Sequence, residues 1–269
     1  MASRHTITVA TANTHFGRAL RISAGLTPLH SADILLLQEV FDISEAALEH
    51  LLAASHFTLI HAAPKFGLAI AIRTAAGLRL LPGTIQEHRL AKASRPEQFI
   101  IQKATRSPLI FTERGVISCQ LATPNGKVVT IANVHPTTPI ATTPRARHRQ
   151  IKRLTRVLTQ FYHNSPLILG GDMNHYPRPR KIDLALHKTT SLTPVELGTT
   201  PTWYARGSKE ERLLAFAARA IRRPLEHFNG QHDIILYRET YFIPIHIEVV
   251  DIPSDHRAII ATFRLTSYV

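Results

Sequence analysis

The chain has one cysteine among its 269 residues. Cys119 therefore has no partner for an internal disulfide, which fits a reducing compartment. Structural zinc is equally unsupported. Sixteen histidines are present, but no His-Glu-x-x-His and no Cys-x-x-Cys spacing. Acidic side chains are scarce, 19 against 32 Lys and Arg, which leaves a formal net charge of +13. A surplus of that size favours an acidic partner such as nucleic acid, anionic lipid or a phosphorylated small molecule. Long apolar runs are missing too. Stretches such as Ile34–Leu37 fall far short of the roughly 20 residues that a membrane-spanning helix needs. Only Met1-Ala2-Ser3-Arg4-His5 precedes the strand-like Thr6-Ile7-Thr8-Val9-Ala10, with no apolar stretch of signal-peptide length. The expectation is a cytoplasmic protein. No Gly-, Ser- or Pro-rich linker and no long repeat divides the chain, so one domain over 1–269 is expected.

What is present is a hydrophobic fraction of 44%, enough for a substantial core. Short β-rich runs bounded by turn residues recur: Thr6–Asn13, Asp33–Glu39, Phe57–His61, Gly67–Arg73, Gly115–Leu121, Lys127–His135, Leu167–Asp172, Asp233–Tyr237, His246–Val250 and Ala258–Leu265. Helices are expected at Ser44–Ser55, behind a Ser cap, and at Arg145–Phe161, with Ile151, Leu154, Leu158 and Phe161 on one stripe. Lys209–Arg222 repeats that pattern, and a shorter helix is expected near Lys181–Leu186. Helices fall between blocks of strands, which predicts packed sheets flanked by helices rather than strict βαβ alternation.

The informative residues are polar groups at the ends of apolar strands. Asn13 closes the first run and Glu39 the second; His135 follows Val128–Val134, and Asp172 and Asn174 follow Leu167–Gly171. Asp233 opens a strand, and Asp255 and His256 precede the last one. Taken singly, each reads as a turn or cap residue, since Asp, Asn and Ser are common there. Eight together, all at strand ends, read as a site.

In order, the motifs are Thr11-Ala12-Asn13, Leu37-Gln38-Glu39-Val40, Ala132-Asn133-Val134-His135, Gly171-Asp172-Met173-Asn174, His232-Asp233-Ile234-Ile235-Leu236 and Ser254-Asp255-His256-Arg257-Ala258. This set resembles the endonuclease/exonuclease/phosphatase superfamily along nearly the whole chain. The pairing of Gly-Asp-x-Asn with a C-terminal Ser-Asp-His is its specific part. The resemblance implies a DNase I-like α/β fold: a four-layered sandwich of two mixed β-sheets packed face to face, with helices outside. It implies hydrolysis of phosphoesters with Mg²⁺ or Mn²⁺. Glu39 would be the principal metal ligand, with Asn13 and Asp255 nearby. Oxygen donors of that kind suit a hard cation. Asp172 would orient or deprotonate the attacking water, and Asn174 would donate to a phosphate oxygen. His135 and His256 would contact the scissile phosphate, with Asp233 fixing the ring of His256. His15 and His175, beside presumed site positions, are further candidates for substrate contact.

The substrate is less legible. Arg145, Arg147, Arg149, Lys152, Arg153 and Arg156 line a helix with no acidic residue, which suits a nucleic-acid backbone or a merely solvated face. The basic amphipathic stretch 209–223 suits a membrane surface or docking on its own domain. A nuclease is the leading expectation. A phosphodiesterase or phosphatase of lipid headgroups or small phosphoesters comes second, and an inactive nucleic-acid or membrane adaptor third. No protein partner is inferred.

Overall fold

A computed structural model describes residues 6–22, 25–41, 43–92, 94–97, 113–138, 142–174, 185–186, 188–204 and 229–267, with a few single positions between 205 and 228. The strands are β1 (Thr6–Asn13), β2 (Ile34–Gln38), β3 (Phe57–Ala63), β4 (Leu68–Arg73), β5 (Arg79–Leu80), β6 (Gln86–Arg89), β7 (Gly115–Ala122), β8 (Val128–Val134), β9 (Leu167–Asp172), β10 (Thr193–Pro194), β11 (Asp233–Tyr237), β12 (Phe242–Asp251) and β13 (Arg257–Leu265). The α-helices given bounds are α1 (Arg18–Arg21), α2 (Glu45–Ala53) and α3 (Pro144–Tyr162).

One six-stranded sheet runs β12-β13-β1-β2-β4-β3, and a seven-stranded sheet runs β10-β11-β9-β8-β7-β5 with β6 also on β7. Both are mixed. β1 pairs β2 in parallel and β8 pairs β9 in parallel, while their other neighbours are antiparallel.

Alternation along each strand explains the layers. Ile7, Val9, Ile34, Leu36, Ile70 and Phe263 of the first sheet face Ile117, Cys119, Val129, Ile131, Ile168 and Ile235 of the second. The intervening Ala10, Leu35, Leu37 and Ala71 point the other way, onto Leu48 and Leu52 of α2. On the second sheet, Val116, Ala132, Leu167 and Leu169 meet Leu154, Val157 and Leu158 of α3. Strands covered on both faces are apolar at consecutive positions, which is why Ile34-Leu35-Leu36-Leu37 has no polar gap. The result is the expected four-layered sandwich.

Local signals set the helix starts. The Ser44 hydroxyl accepts from Ala47 N (3.3 Å) at the head of α2, and Thr143 does the same from Ala146 N (3.1 Å) at α3, with Pro144 next.

Two corrections concern strands. β12 begins at Phe242, four residues before the expected start at His246, because Pro244 and a register shift interrupt the alternation there. β5, β6 and β10 carry too few residues to show a pattern. The helices expected at 181–186 and 209–222, and with the latter the membrane-facing stretch 209–223, lie largely outside the described residues. Among those described, no helix is long and apolar enough to cross a membrane.

Candidate active site

Topology alone brings the strand-end residues together. β1 and β2 run parallel with Asn13 opposite Gln38, so Asn13 and the following Glu39 emerge at the same end. β8 and β9 run parallel in the facing sheet and deliver His135 and Asp172 to that end. The antiparallel neighbours start where these strands finish. Asp233 of β11 is in register with Asp172, and His256 directly precedes β13, the antiparallel partner of β1.

Buried amides lock the two sheets at this point. Gln38 Nε2 donates to Asn133 Oδ1 across the sandwich (2.7 Å), and Asn133 Nδ2 returns to the carbonyls of Leu37 and Ala69 (2.8 and 2.9 Å). Glycine permits the approach. A Cβ on Gly170 would lie 2.6 Å from Leu36 Cδ1. On Gly171, whose φ is +151°, it would lie 1.9 Å from the Val134 carbonyl oxygen.

Asp172 is the hub. Its Oδ2 accepts from Asn13 Nδ2 (2.9 Å) and lies 3.3 Å from His135 Nε2, while its Oδ1 accepts from the Asn174 backbone N–H (2.8 Å). His256 Nε2 stands 3.8 Å from Oδ2, in reach of charge rather than of a hydrogen bond. Burial works to raise the Asp172 carboxyl, but His256 and His135 outweigh it and hold it well below the usual carboxylate range. Asn174 spends one of its two side-chain N–H groups on the Pro136 carbonyl (3.1 Å), leaving the other. Its φ of +50° and the +59° of Glu39 are left-handed values that cost a non-glycine residue on the order of 1 kcal/mol or more.

The two imidazoles are in opposite states. His256 Nδ1 faces Asp233 Oδ2 at 2.8 Å. Burial disfavours its charge, yet Asp233 and Asp172 raise its pKa to about 10, so the ring is an imidazolium at neutral pH. At His135, Nδ1 faces Arg114 Nη1 at 2.9 Å. A guanidinium only donates, so Nδ1 accepts and the ring proton sits on Nε2, toward Asp172. Burial and Arg114 together push the His135 pKa down, leaving that ring neutral.

Glu39 is buried, and its charge is felt by both Arg114 and His135. Asp255 stands beside Asn13: Ser254 Oγ donates to the Asn13 carbonyl (2.9 Å), and His15 Nδ1 lies 3.1 Å from Asp255 Oδ1. Asn13 Oδ1 accepts the His15 backbone N–H (3.0 Å) and keeps a second lone pair. Glu39, Asp255 and the Asn13 amide oxygen, at neighbouring ends of β2, β13 and β1, are donors of the type that fits a hard divalent cation. Asp172, Asp233 and His256 also bring ligand atoms within 4.8 Å of one another. With His256 Nδ1 already spent on Asp233, we read that group as an ion pair rather than a cage.

All eight strand-end residues therefore converge, and His15 joins them through Asp255; His175 lies outside the described residues. Two buried arginines escaped the sequence reading. Arg114 carries no motif around it. Arg147 was counted with the surface charges of α3, although its spacing to Leu154 and Leu158 puts it on the buried stripe. The His232 ring, stacked on Trp203 (4.5 Å between centroids, 8° between planes), was also unforeseen.

A buried carboxylate encircled by amide and imidazole donors, at one end of a face-to-face sandwich, belongs to the DNase I-like phosphoester hydrolases. The chain is a member of the Endonuclease/Exonuclease/phosphatase family, whose model matches residues 10–256. Solved structures agree in fold. The human Nocturnin catalytic domain superposes with a TM-score of 0.66 at 17% identity, covering 98% of this chain and 95% of that one. ANGEL2, a 2′,3′-cyclic phosphatase solved with adenosine-2′,3′-vanadate, gives 0.65 at 14% identity, covering 97% and 96%. D. rerio TDP2, solved with a single-strand DNA product, gives 0.63 at 13%, covering 96% and 98%. No curated protein matches the chain by sequence.

Proposed function

We propose that this chain is a divalent-metal-dependent nuclease, cleaving phosphodiester bonds of DNA or RNA with Mg²⁺ or Mn²⁺ held by Glu39, Asn13 and Asp255. The observation that carries the reading is the donor arrangement around Asp172. A carboxylate has about four lone-pair sites. Asn13, His135 and the Asn174 N–H fill three, which leaves one with which Asp172 would orient a water. Held ionised and of low basicity, Asp172 orients that water more readily than it removes its proton. The His256 imidazolium, kept charged by Asp233, offsets negative charge developing on the phosphate. The remaining Asn174 N–H donates to a phosphate oxygen, while the neutral His135, expected to contact the phosphate, spends its one N–H on Asp172 and holds that carboxylate in place. A bound divalent ion supplies Lewis-acid charge to the same phosphate.

Nucleic acid is favoured over small phosphoesters by α3. Arg145, Lys152, Arg153 and Arg156 are exposed along one face of this helix, whose buried Arg147 reaches the site loops. Arg149 is exposed as well but engaged by Glu97 (2.5 Å). Two proteins of this fold were solved with ligands of that general kind, TDP2 with a single-strand DNA product and ANGEL2 with adenosine-2′,3′-vanadate, which supports the reading. Hydrolysis of lipid headgroups or small phosphoesters is the second reading.

Two measurements test this. Activity on polynucleotide is expected to vanish in EDTA and return with Mg²⁺ or Mn²⁺, and Glu39→Gln should raise the metal concentration required. Undiminished turnover in EDTA overturns the metal assignment. Affinity for duplex DNA should fall steeply with salt. Replacing Lys152, Arg153 and Arg156 with Ala should flatten the log–log slope by about 0.9 per lost contact. A slope no steeper than that for bis-p-nitrophenyl phosphate moves the small-phosphoester reading to first place.

A further inference from the structure

Arg147 sits on a helix full of surface charge, yet only 7% of it is exposed. Its guanidinium reaches two separate loops. Nη1 donates to the Thr137 carbonyl (2.5 Å), in the loop that follows β8 and carries His135. Nη2 donates to the carbonyls of Met173 and Asn174 (3.2 Å to the latter), in the loop that follows Asp172 at the end of β9. One turn further along α3, Gln150 grips the first loop again, accepting from Thr137 N (3.0 Å) and donating to Thr137 Oγ1 (2.9 Å). Asn174 Nδ2 closes the ring onto the Pro136 carbonyl.

The two loops belong to parallel strands of the same sheet, whose ladder ends at Val134 and Gly171, and among the described residues none continues beyond them. Asn174 must also stay in a left-handed conformation for its N–H to reach Asp172. The fork supplies what the ladder no longer does.

We propose that Arg147 is a positioning residue, a buried fork that sets the His135 loop and the Asp172–Asn174 loop at a fixed separation. The inference rests on the hydrolase reading above and deepens it. Arg147 touches no substrate. It acts by fixing where Asp172, Asn174 and His135 point, and misplacement of about 1 Å costs on the order of 100-fold in rate. A planar guanidinium spans several acceptors at once, whereas a lysine ammonium is a single point with no fork.

The test compares Arg147→Met, Arg147→Lys and Leu154→Ala, the last an apolar core change under α3 that removes no hydrogen bond to either loop. Both Arg147 variants should lower kcat by about 100-fold, on bis-p-nitrophenyl phosphate and on polynucleotide alike, with KM within a few-fold of wild type. Hydrogen exchange at the Thr137 and Asn174 amides should quicken in both. Leu154→Ala should retain most of its turnover at equal distance below its melting temperature. The lysine variant keeps charge and volume, so it carries the comparison where the methionine variant does not fold.

Three results overturn the proposal: equal activity loss in Leu154→Ala at matched stability, wild-type kcat in Arg147→Lys, or a defect confined to KM for polynucleotide. The last would make Arg147 a phosphate contact. A wild-type protein without turnover on any phosphodiester would defeat the hydrolase reading instead. The exchange measurement then decides alone, and unchanged exchange at Thr137 and Asn174 overturns the fork.

Discussion

Asp172, His135 and His256 differ in protonation because of what lies behind each of them. A carboxylate behind His256 keeps its proton on, a guanidinium behind His135 keeps that ring neutral, and both rings keep Asp172 ionised. Asp172→Asn and His256→Ala are each expected to lower kcat by about 10²–10⁴, the range of groups that handle protons or developing charge, with the fold intact by circular dichroism. Asp233→Asn should cost less than His256→Ala, because it weakens the charge on the ring without removing it. The Asp233/His256 double variant should lose little more than His256→Ala alone, since the pair acts as one unit. Near-wild-type turnover in either single catalytic variant removes that residue from the mechanism. These residues were legible from the sequence because their motifs interrupt apolar strands. Arg114 was not. It stands just before β7 and matters only through a contact with His135, 21 positions away.

Among the elements, α3 does two jobs on two faces. Its exposed face carries the basic charges on which the nucleic-acid proposal rests, and its buried face carries Arg147 and Gln150 to the loops beyond His135 and Asp172. The helix is also tied to a distant segment. Glu97 accepts from Arg149, from Ser94 and from the Thr143 hydroxyl at the α3 N-cap. The Arg149 guanidinium, first among these, lowers the Glu97 pKa to about 2 from 4.5. A carboxylate depressed on folding stabilises the folded form above its unfolded value, and the gain is lost as pH falls toward the folded value. Glu97→Gln should therefore be less stable than wild type in urea melts above pH 4.5, with the difference fading as pH approaches about 2. The effect should be small and salt-sensitive, because solvent screens the pair. A stability difference that persists unchanged to pH 2 excludes ionic stabilisation at this position.

For the molecule as a whole, the inter-sheet layer is the part that must stay dry. Cys119 lies in it, 1% exposed, and burial pushes its thiol up to about 12. Thiolate is the reactive form, so labelling by a disulfide reagent should be negligible in the native protein. In rising urea, the labelling rate should follow the global unfolding equilibrium, since exposing Cys119 requires the sheets to part. Fast labelling in native buffer would show that the sandwich opens locally. The site depends on the same sheet pairing, because Gln38 and Asn133 bond across the layer just below it.

The sequence alone determined the longer strands, the two-face burial of the central ones, and the eight strand-end residues with the family they resemble. Each of these is written in local order: alternation, turn residues, and a polar group where an apolar run stops. Only the tertiary structure decided how those ends combine. Parallel pairing of β1 with β2 and of β8 with β9 aimed four strand ends the same way, and the stacking of the sheets brought Asn13 onto Asp172, 159 positions apart. It also separated the charges of one helix into surface and buried sets. The physical reason is range. Periodicity reports which face a residue takes, but the partner across that face is fixed by packing between segments distant in the chain.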